Sequence, residues 1–233
     1  VCDLPELNKI GCNNLAYMAA EKFAYLYRKH TQISCGSIDI TIEKNIPLAA
    51  GLAGGSSDAA AVLRGLNGLF NNPFSDKTLL EIAATLGADV PFCLSRSPMH
   101  CCGIGENMSP CHSLPDCTIL LAVGKWEKKS TGIMYKELDA VKKGIFAENR
   151  MLAALEGKNI SEVCGALYNA FELVNPHAEL VRSEFIRLGA SGALLSGSGP
   201  SVFGIFSSEK AAINASRSIC NDGFRVFLCT PVD

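Results

Sequence analysis

One stretch of the chain, residues 47–61, combines glycines and hydroxyl side chains at a spacing that suits anion binding. It reads Pro-Leu-Ala-Ala-Gly-Leu-Ala-Gly-Gly-Ser-Ser-Asp-Ala-Ala-Ala, with three glycines and two serines between Gly51 and Ser57. Glycines let the backbone approach a ligand closely and turn N–H groups inward. A helix that starts near Ser57 adds unpaired N–H donors and the positive end of its dipole. The stretch therefore predicts a cradle for phosphate oxygens.

The same residues exclude two common phosphate-binding devices. A P-loop needs Gly-Lys-Ser/Thr and the stretch has no lysine, and the dinucleotide fingerprint Gly-x-Gly-x-x-Gly is missing as well. We expect a nucleoside triphosphate that is held by neither device. The alternative is a strand-to-helix turn in which glycine serves packing and serine caps the helix.

A carboxylate in the segment Gly87-Ala-Asp-Val-Pro-Phe92 is the second candidate for chemistry. Asp89 follows an alanine and precedes a valine, and partial desolvation there is expected to favour proton uptake. A carboxylate within hydrogen-bond reach of an alcohol can act as a base or orient the hydroxyl. The alternative is a turn or N-cap aspartate in a Gly-x-Asp-x-Pro bend.

Composition restricts the class of protein. A chain of 233 residues with 48% hydrophobic and 19% charged residues is globular, and a net charge of −2 favours neither nucleic acid nor an anionic membrane as a partner. Eleven cysteines, an odd number without a Cys-x-x-Cys pair, indicate a reduced, cytoplasmic protein. The cysteines and histidines between Cys93 and Cys117 lack the paired spacing of zinc ligands, so we expect no metal site there.

Hydrophobic periodicity predicts the elements that must position these residues. Alternation over 38–42 predicts a half-buried strand, and Asn13-Asn14 can cap a helix at Leu15–His30. Further helices are predicted at 59–70, 75–85, 131–141, 148–155, 160–171 and 209–220, and further strands at 99–104, 116–124, 193–195, 202–206 and 224–229. The stretch 109–115 is the predicted domain boundary, which gives domains at 1–110 and 111–233.

Three segments resemble one enzyme superfamily in the same order. Pro47-Leu-Ala-Ala-Gly-Leu-Ala-Gly-Gly-Ser-Ser-Asp58 and Leu195-Ser-Gly-Ser-Gly-Pro-Ser-Val-Phe203 resemble two motifs of the galactokinase, homoserine kinase, mevalonate kinase and phosphomevalonate kinase superfamily. The segment Gly87–Phe92 narrows the resemblance to the 4-diphosphocytidyl-2-C-methyl-D-erythritol kinase family of the non-mevalonate isoprenoid pathway. The resemblance covers nearly the whole chain.

The resemblance implies an activity and a fold. The activity is ATP-dependent phosphorylation of the 2-hydroxyl of a cytidine-diphosphate-linked methylerythritol, a small-molecule sugar alcohol, with ATP and Mg²⁺ as cofactors. The fold is α+β in two domains. An N-terminal α/β domain (1–110) carries the phosphate loop and binds ATP, and a C-terminal ferredoxin-like domain (111–233) binds the substrate.

The resemblance also implies residue roles. The ATP phosphates would be wrapped by Pro47, Leu48, Ala49, Ala50, Gly51, Leu52, Ala53, Gly54, Gly55, Ser56 and Ser57. The adenine pocket would include Asn14, Leu15, Lys44 and Leu48. Asp89 matches the catalytic aspartate, and Tyr135 matches the aromatic residue that stacks on cytosine. The loop beside the phosphate loop and the acceptor sugar would contain Ser196, Gly197, Ser198 and Gly199.

Other interpretations remain open at this stage. Taken alone, Tyr135 predicts core packing, Lys44 a solvated lysine at a strand end, and the turn at Ser198 a tight connection between strands. The family's Pro-x-Lys-x-Asn-Leu and Gly-Tyr-His-Glu segments have no match here. We therefore expect weak ATP binding and poor turnover from this polypeptide. The alternatives are a homoserine or mevalonate type of kinase and a non-catalytic relative that binds nucleotide.

Overall fold

The computed structural model describes residues 2–8, 14–95, 97–141 and 148–232, which form two compact units. The first unit contains residues 1–48 and 53–110, and the second contains residues 49–52 and 111–233. Residues 49–52, a segment of the predicted phosphate loop, therefore belong to the second unit.

The described residues of the first unit contain a 3₁₀-helix (Pro5–Asn8) and four α-helices: α1 (Leu15–Thr31), α2 (Gly54–Leu69), α3 (Asp76–Ala84) and α4 (Val90–Leu94). The side-chain oxygen of Asn14 caps α1 by accepting from the N–H groups of the next turn. Ser75 caps α3 in the same way. Alanines on the facing sides of α1 and α2 lie in one core with Phe23, Leu63 and Val90, because small side chains let two helices approach closely.

The segment 38–43 keeps the predicted alternation of burial but does not form the predicted strand. Ile38, Ile40 and Ile42 are half-buried, and the residues between them are exposed. In the described part of the chain the segment carries a single bridge, which is parallel and joins Ile42 to Cys2. Ile38 and Ile40 pack against the helical core, which accounts for the alternation in burial.

A short helix and a hairpin complete the first unit. Helix α4 follows Asp89 and is not among the helices predicted from hydrophobic periodicity. Strands β1 (Met99–Cys102) and β2 (Asn107–Pro110) pair antiparallel around a turn in which Gly103 and Gly105 have positive φ. The first strand was predicted and the second was missed, since it lacks apolar alternation.

The second unit contains an antiparallel sheet of the strands β3 (Thr118–Val123), β4 (Gly192–Leu195), β5 (Ser201–Phe206) and β6 (Arg225–Cys229). The strands lie in the order β4-β5-β3-β6. Helices lie between β3 and β4 and between β5 and β6, which gives the strand order of a ferredoxin-like domain and confirms the predicted α+β fold class. The core includes Leu120, Phe185, Phe206 and Ile219.

The helices of the second unit are α5 (Thr131–Asp139), α6 (Glu148–Glu156), α7 (Ile160–Ala166), α8 (Pro176–Arg187) and α9 (Glu209–Asn221). The single helix predicted over 160–171 is wrong: α7 ends at Ala166, and Asn169 then caps a separate 3₁₀-helix, Ala170–Val174. Helix α8 was missed, although Pro176 and buried residues three and four apart are typical of a helix start and an amphipathic face.

Two general properties complete the description. None of the helices in the described ranges has the length and apolar character needed to cross a bilayer. Every cysteine within those ranges is a free thiol.

A buried amide closes the end of α2, and its removal should destabilise the first unit. Asn67 is 6% exposed; its amide donates to the carbonyl of Phe74 and its oxygen accepts from the Phe74 N–H, at 3.0 and 3.1 Å. Asn67→Ala leaves two buried backbone groups without partners, so we expect a loss of about 2 kcal/mol in the free energy of unfolding. Denaturant titration measures this loss.

The matched control for that measurement is Asn214→Ala, at an exposed position within α9. The higher helix propensity of alanine should leave this variant unchanged or slightly stabilised. Equal effects of the two substitutions would contradict the structural role of Asn67.

Candidate functional site

The amide donors predicted for phosphate binding come from the first turn of α2. The helix begins at Gly54, three residues before the predicted start near Ser57, and Ala53 precedes it with a φ of 51°. The N–H of Ser57 already donates to the carbonyl of Ala53 at 2.9 Å. No group in the described part of the chain accepts from the N–H of Gly54, Gly55 or Ser56. These three amides can therefore bind an anion at the positive end of the helix dipole.

An ion pair between a buried lysine and a partly buried aspartate holds this helix start. Lys44 Nζ contacts Asp58 Oδ2 at 2.5 Å, and the lysine side chain is only 4% exposed. Gly54 must lack a side chain here, because a Cβ would lie 2.8 Å from Cγ2 of Ile46 and 3.5 Å from Lys44 Nζ. The alternative of a solvated lysine at a strand end is therefore wrong.

The residues predicted for the adenine pocket differ in their exposure and in whether their side chains already form hydrogen bonds within the protein. Leu15 lies close to the loop, since a Cβ on Gly55 would be 3.6 Å from Leu15 Cδ1. Leu48 is 41% exposed. The side chain of Asn14 is engaged within the fold, because it caps α1 and also donates to the carbonyl of Leu7 at 3.2 Å.

Within the second unit, the segment 49–52 packs against the loop Ser196–Ser201. Ser196 Oγ donates to the carbonyl of Gly51 at 2.9 Å. Gly51 has a φ of +73°, and a Cβ there would lie 3.0 Å from the backbone of Gly199 and closer still to the carbonyl of Ser196. The predicted packing of these two loops is confirmed at this contact. Backbone meets backbone, so only glycine fits.

The loop Ser196–Ser201 is itself held within the second unit. The hydroxyl of Ser198, a residue only 7% exposed, forms a hydrogen bond of 2.9 Å with the hydroxyl of Thr131 at the start of α5. Gly197 and Gly199 both have positive φ. Thr131 was not among the predicted site residues.

Asp89 lies at the N-terminus of α4, and its carboxylate does not cap the helix. Among the described residues its carbonyl accepts from the N–H of Cys93 at 3.1 Å, and its side chain forms no hydrogen bond. The residue is exposed, so the predicted partial desolvation is wrong. The carboxylate can therefore accept a proton or a hydrogen bond from a ligand.

Two neighbours of Asp89 are the turn of the β1–β2 hairpin, which contacts Ala88, and the thiol of Cys93. Gly105, at the turn of the β1–β2 hairpin, lies against the carbonyl of Ala88, where a Cβ would be 2.8 Å away. Burial raises the pKa of the Cys93 thiol, the charge of Asp89 raises it further, and Arg64 partly opposes both. Cys93 is therefore a protonated thiol near neutral pH and a poor nucleophile.

Tyr135 presents an aromatic ring on the surface of the second unit. The residue is 58% exposed, so the alternative of core packing is wrong. Its ring meets that of Phe171 edge to face, with centroids 4.9 Å apart and an interplanar angle of 67°. An exposed ring fixed by an aromatic neighbour is suited to stack on a flat ligand.

The structure thus brings several of the predicted residues together. Gly51 lies against Ser196, Gly197 and Gly199. At the start of α2, Gly54 lies close to Lys44 and Gly55 lies close to Leu15. Across the described ranges no group of three or more His, Cys, Asp or Glu side chains is arranged to hold a metal ion. Asp58, the partner of Lys44, was not among the predicted site residues, since the pairing depends on a contact across 14 residues.

Comparison with known families places both units among the GHMP kinases. Residues 14–97 match the family model for the GHMP kinases N terminal domain, and residues 151–225 match that for GHMP kinases C terminal. A 4-diphosphocytidyl-2-C-methyl-D-erythritol kinase of Macrococcus caseolyticus is 38% identical over 221 residues, which cover 91% of this chain and 76% of the relative. An enzyme of the same name from Syntrophomonas wolfei is 40% identical over 222 residues, with coverage of 92% and 75%.

Solved structures give the same grouping. A crystal structure of 4-(cytidine 5'-diphospho)-2C-methyl-D-erythritol kinase has a TM-score of 0.78 and 30% identity, and the match covers 100% of this chain and 81% of that one. A homoserine kinase from Cytophaga hutchinsonii has a TM-score of 0.68 and 17% identity, with coverage of 94% and 76%, which shows a shared fold alone.

The close approach at Gly51 should be sensitive to a single methyl group. Gly51→Ala places a Cβ against the backbone of Ser196 and Gly199 in addition to straining a positive φ. We expect a loss of about 3 kcal/mol in the free energy of unfolding, from backbone strain and overpacking together. Denaturant titration measures it.

Gly36→Ala is the matched control, because Gly36 has a similar φ of +71° and nothing within 4 Å of an added Cβ. This variant should lose only about 1 kcal/mol through backbone strain. If the two variants lose the same amount, the contact between Gly51 and the loop Ser196–Ser201 is not as described.

Proposed function

Because the chain belongs to the 4-diphosphocytidyl-2-C-methyl-D-erythritol kinase family of the GHMP kinases, we propose that it transfers the γ-phosphoryl group of ATP to the 2-hydroxyl of 4-diphosphocytidyl-2-C-methyl-D-erythritol. The observation that carries the proposal is the first turn of α2. Three consecutive amides, those of Gly54, Gly55 and Ser56, have no acceptor in the described part of the chain.

These amides would bind phosphate oxygens of ATP. Phosphoryl transfer depends on positioning and on neutralising charge more than on covalent chemistry, and fixed N–H donors supply both without reorganisation. The loop 47–57 would wrap the triphosphate, and Leu15 and Leu48 would contact the adenine. The burial of Lys44 against Asp58 supports a role in holding the helix start at Gly54.

The oxygen donors at the start of α2 suit Mg²⁺. Ser57 Oγ donates its proton to the carbonyl of Gly54 at 2.8 Å, which leaves its lone pairs for a cation, and Asp58 is a carboxylate engaged through Oδ2. Hydroxyl and carboxylate oxygens are the ligands that Mg²⁺ prefers. We propose Ser57 and Asp58 as its protein ligands. When bound, Mg²⁺ would neutralise charge on the phosphates.

Asp89 and the aromatic surface would act on the acceptor. A carboxylate that is exposed and free of capping can accept the proton of the attacking hydroxyl, a tertiary alcohol and a poor nucleophile. Tyr135 would stack on the cytosine. Ser196, Gly197, Ser198 and Gly199 would contact the acceptor sugar through a loop that hydrogen bonds hold in place.

An acceptor comparison tests the proposed function. ADP release is followed by a coupled assay with ATP and Mg²⁺, and the acceptor is 4-diphosphocytidyl-2-C-methyl-D-erythritol, homoserine or mevalonate. We expect ADP release only with the cytidine-bearing acceptor. A preference for homoserine or mevalonate would replace the proposal with another kinase of the superfamily. ATP binding without transfer to any acceptor would indicate a non-catalytic relative.

Asp89→Asn should separate catalysis from nucleotide binding. The amide cannot accept the proton of the hydroxyl, so we expect the turnover number to fall by about 10²-fold or more. The affinity for ATP, measured by titration calorimetry, should stay within a few-fold. Asp76→Asn is the control, since Asp76 is an exposed aspartate at the start of α3 in the same unit, and it should leave both quantities unchanged. A large loss of ATP affinity in Asp89→Asn would make Asp89 structural.

A further inference from the structure

One asparagine outside every predicted motif holds the loop Ser196–Ser201. Asn169 Nδ2 donates to the carbonyl of Leu195 at 2.8 Å and to the carbonyl of Gly197 at 2.7 Å. Its side-chain oxygen accepts from the N–H of Phe171 at 3.0 Å and so caps the 3₁₀-helix Ala170–Val174. One side chain therefore ties a helix start to two backbone positions more than 25 residues away in sequence.

Two further residues of the segment 169–175 lie against this loop and the residue before it. A carboxylate oxygen of Glu172 accepts from the N–H of Leu195 at 3.0 Å. Asn175, only 7% exposed, follows the helix, and its Nδ2 lies 3.3 Å from the position of a Cβ on Gly199. Leu195 thus has both of its backbone polar groups bound by side chains of the segment 169–175, because Asn169 binds its carbonyl.

The loop Ser196–Ser201 in turn contacts the predicted phosphate loop at Gly51. Ser196, which lies between the two carbonyls that Asn169 binds, donates through Oγ to the carbonyl of Gly51. A Cβ on Gly197 would lie 3.2 Å from the same carbonyl oxygen. Contacts therefore run without a gap from Asn169 through residues 195–197 to Gly51.

We propose that Asn169 is a positioning residue for phosphoryl transfer: it fixes the loop Ser196–Ser201 and, through Ser196, the segment at Gly51. This inference rests on the proposed function, which assigns acceptor binding to the loop and ATP binding to Gly51. Asparagine suits the role because it combines an acceptor for the helix cap with two N–H donors for two carbonyls.

Asn169→Asp isolates the donor function. Aspartate keeps the capping oxygen but has no proton to donate, and it places a negative charge against the carbonyls of Leu195 and Gly197. Asn159→Asp is the matched control: Asn159 caps α7 through its oxygen in the same way, while its amide donates only to the side chain of Glu162. Both variants change the net charge equally.

Amide deuterium exchange measures how firmly the loop Ser196–Ser201 is held, and it does not depend on enzymatic activity. In Asn169→Asp we expect exchange at residues 195–201 and at Gly51 to become about tenfold faster, because two hydrogen bonds that hold the loop closed are lost. In Asn159→Asp these peptides should exchange as in the unsubstituted chain. Unchanged exchange in Asn169→Asp overturns the proposal.

Kinetics then test whether the position matters for transfer. We expect the turnover number of Asn169→Asp to fall by about tenfold or more, because misplaced groups lower the rate of phosphoryl transfer within the bound complex. The turnover number of Asn159→Asp should stay within about twofold of that of the unsubstituted chain. Faster exchange with an unchanged turnover number would overturn the catalytic role. An equal fall in both variants would mean general destabilisation and would overturn it too.

Two further arms keep the proposal and the proposed function separate. If Asn169→Asp does not fold, Asn169→Ser keeps a small capping oxygen, adds no charge and removes the two amide donors, and the same exchange and kinetic differences are expected. If the unsubstituted chain transfers no phosphoryl group to any acceptor, the proposed function fails and with it the catalytic part of the inference. Deuterium exchange still decides whether Asn169 holds the loop.

Discussion

The close approach of Gly51 to the backbone of Ser196 and Gly199 is the constraint on which the predicted phosphate loop depends. Ala49, Gly51 and Ala53 all have positive φ, a conformation that costs free energy for alanine and persists only where surrounding contacts fix it. The hydrogen bond from Ser196 to the Gly51 carbonyl supplies such a contact. The helix then begins at Gly54, and its first three amides have no acceptor among the residues that the structure describes.

A buried charge imposes a second constraint at the start of that helix. Lys44 is almost fully enclosed, and an enclosed ammonium group requires a partner of opposite charge. Asp58 provides it from the first turns of α2, so the ion pair joins the chain shortly before the loop 47–57 to the residue just after it. Gly54 lies against Ile46 within the same arrangement. The helix start is thus fixed by charge and by packing, although no side chain caps it.

The sequence allowed good prediction of what depends on local pattern. The helix at Leu15, the glycine-rich loop and the antiparallel strands of the second unit were all readable, because caps, glycine spacing and alternation are local signals. The start of α2 was placed too late, since glycine has a low helix propensity and Gly54 and Gly55 enter the helix only through packing. Asn169 could be recognised as a cap, but its two carbonyl partners depend on a contact between distant segments.

One physical distinction separates three of the groups proposed to bind ligands from three side chains proposed to shape the site. The amides of Gly54 to Ser56, the carboxylate of Asp89 and the ring of Tyr135 are not used by the described part of the fold, or are largely exposed. The side chains of Asn14, Lys44 and Asn169 instead form hydrogen bonds with other groups of the protein. A group that already has partners gains little from a ligand, because binding must first break those interactions. Asn14 and Lys44 are therefore better explained as residues that shape the adenine pocket than as residues that bind adenine through their polar atoms.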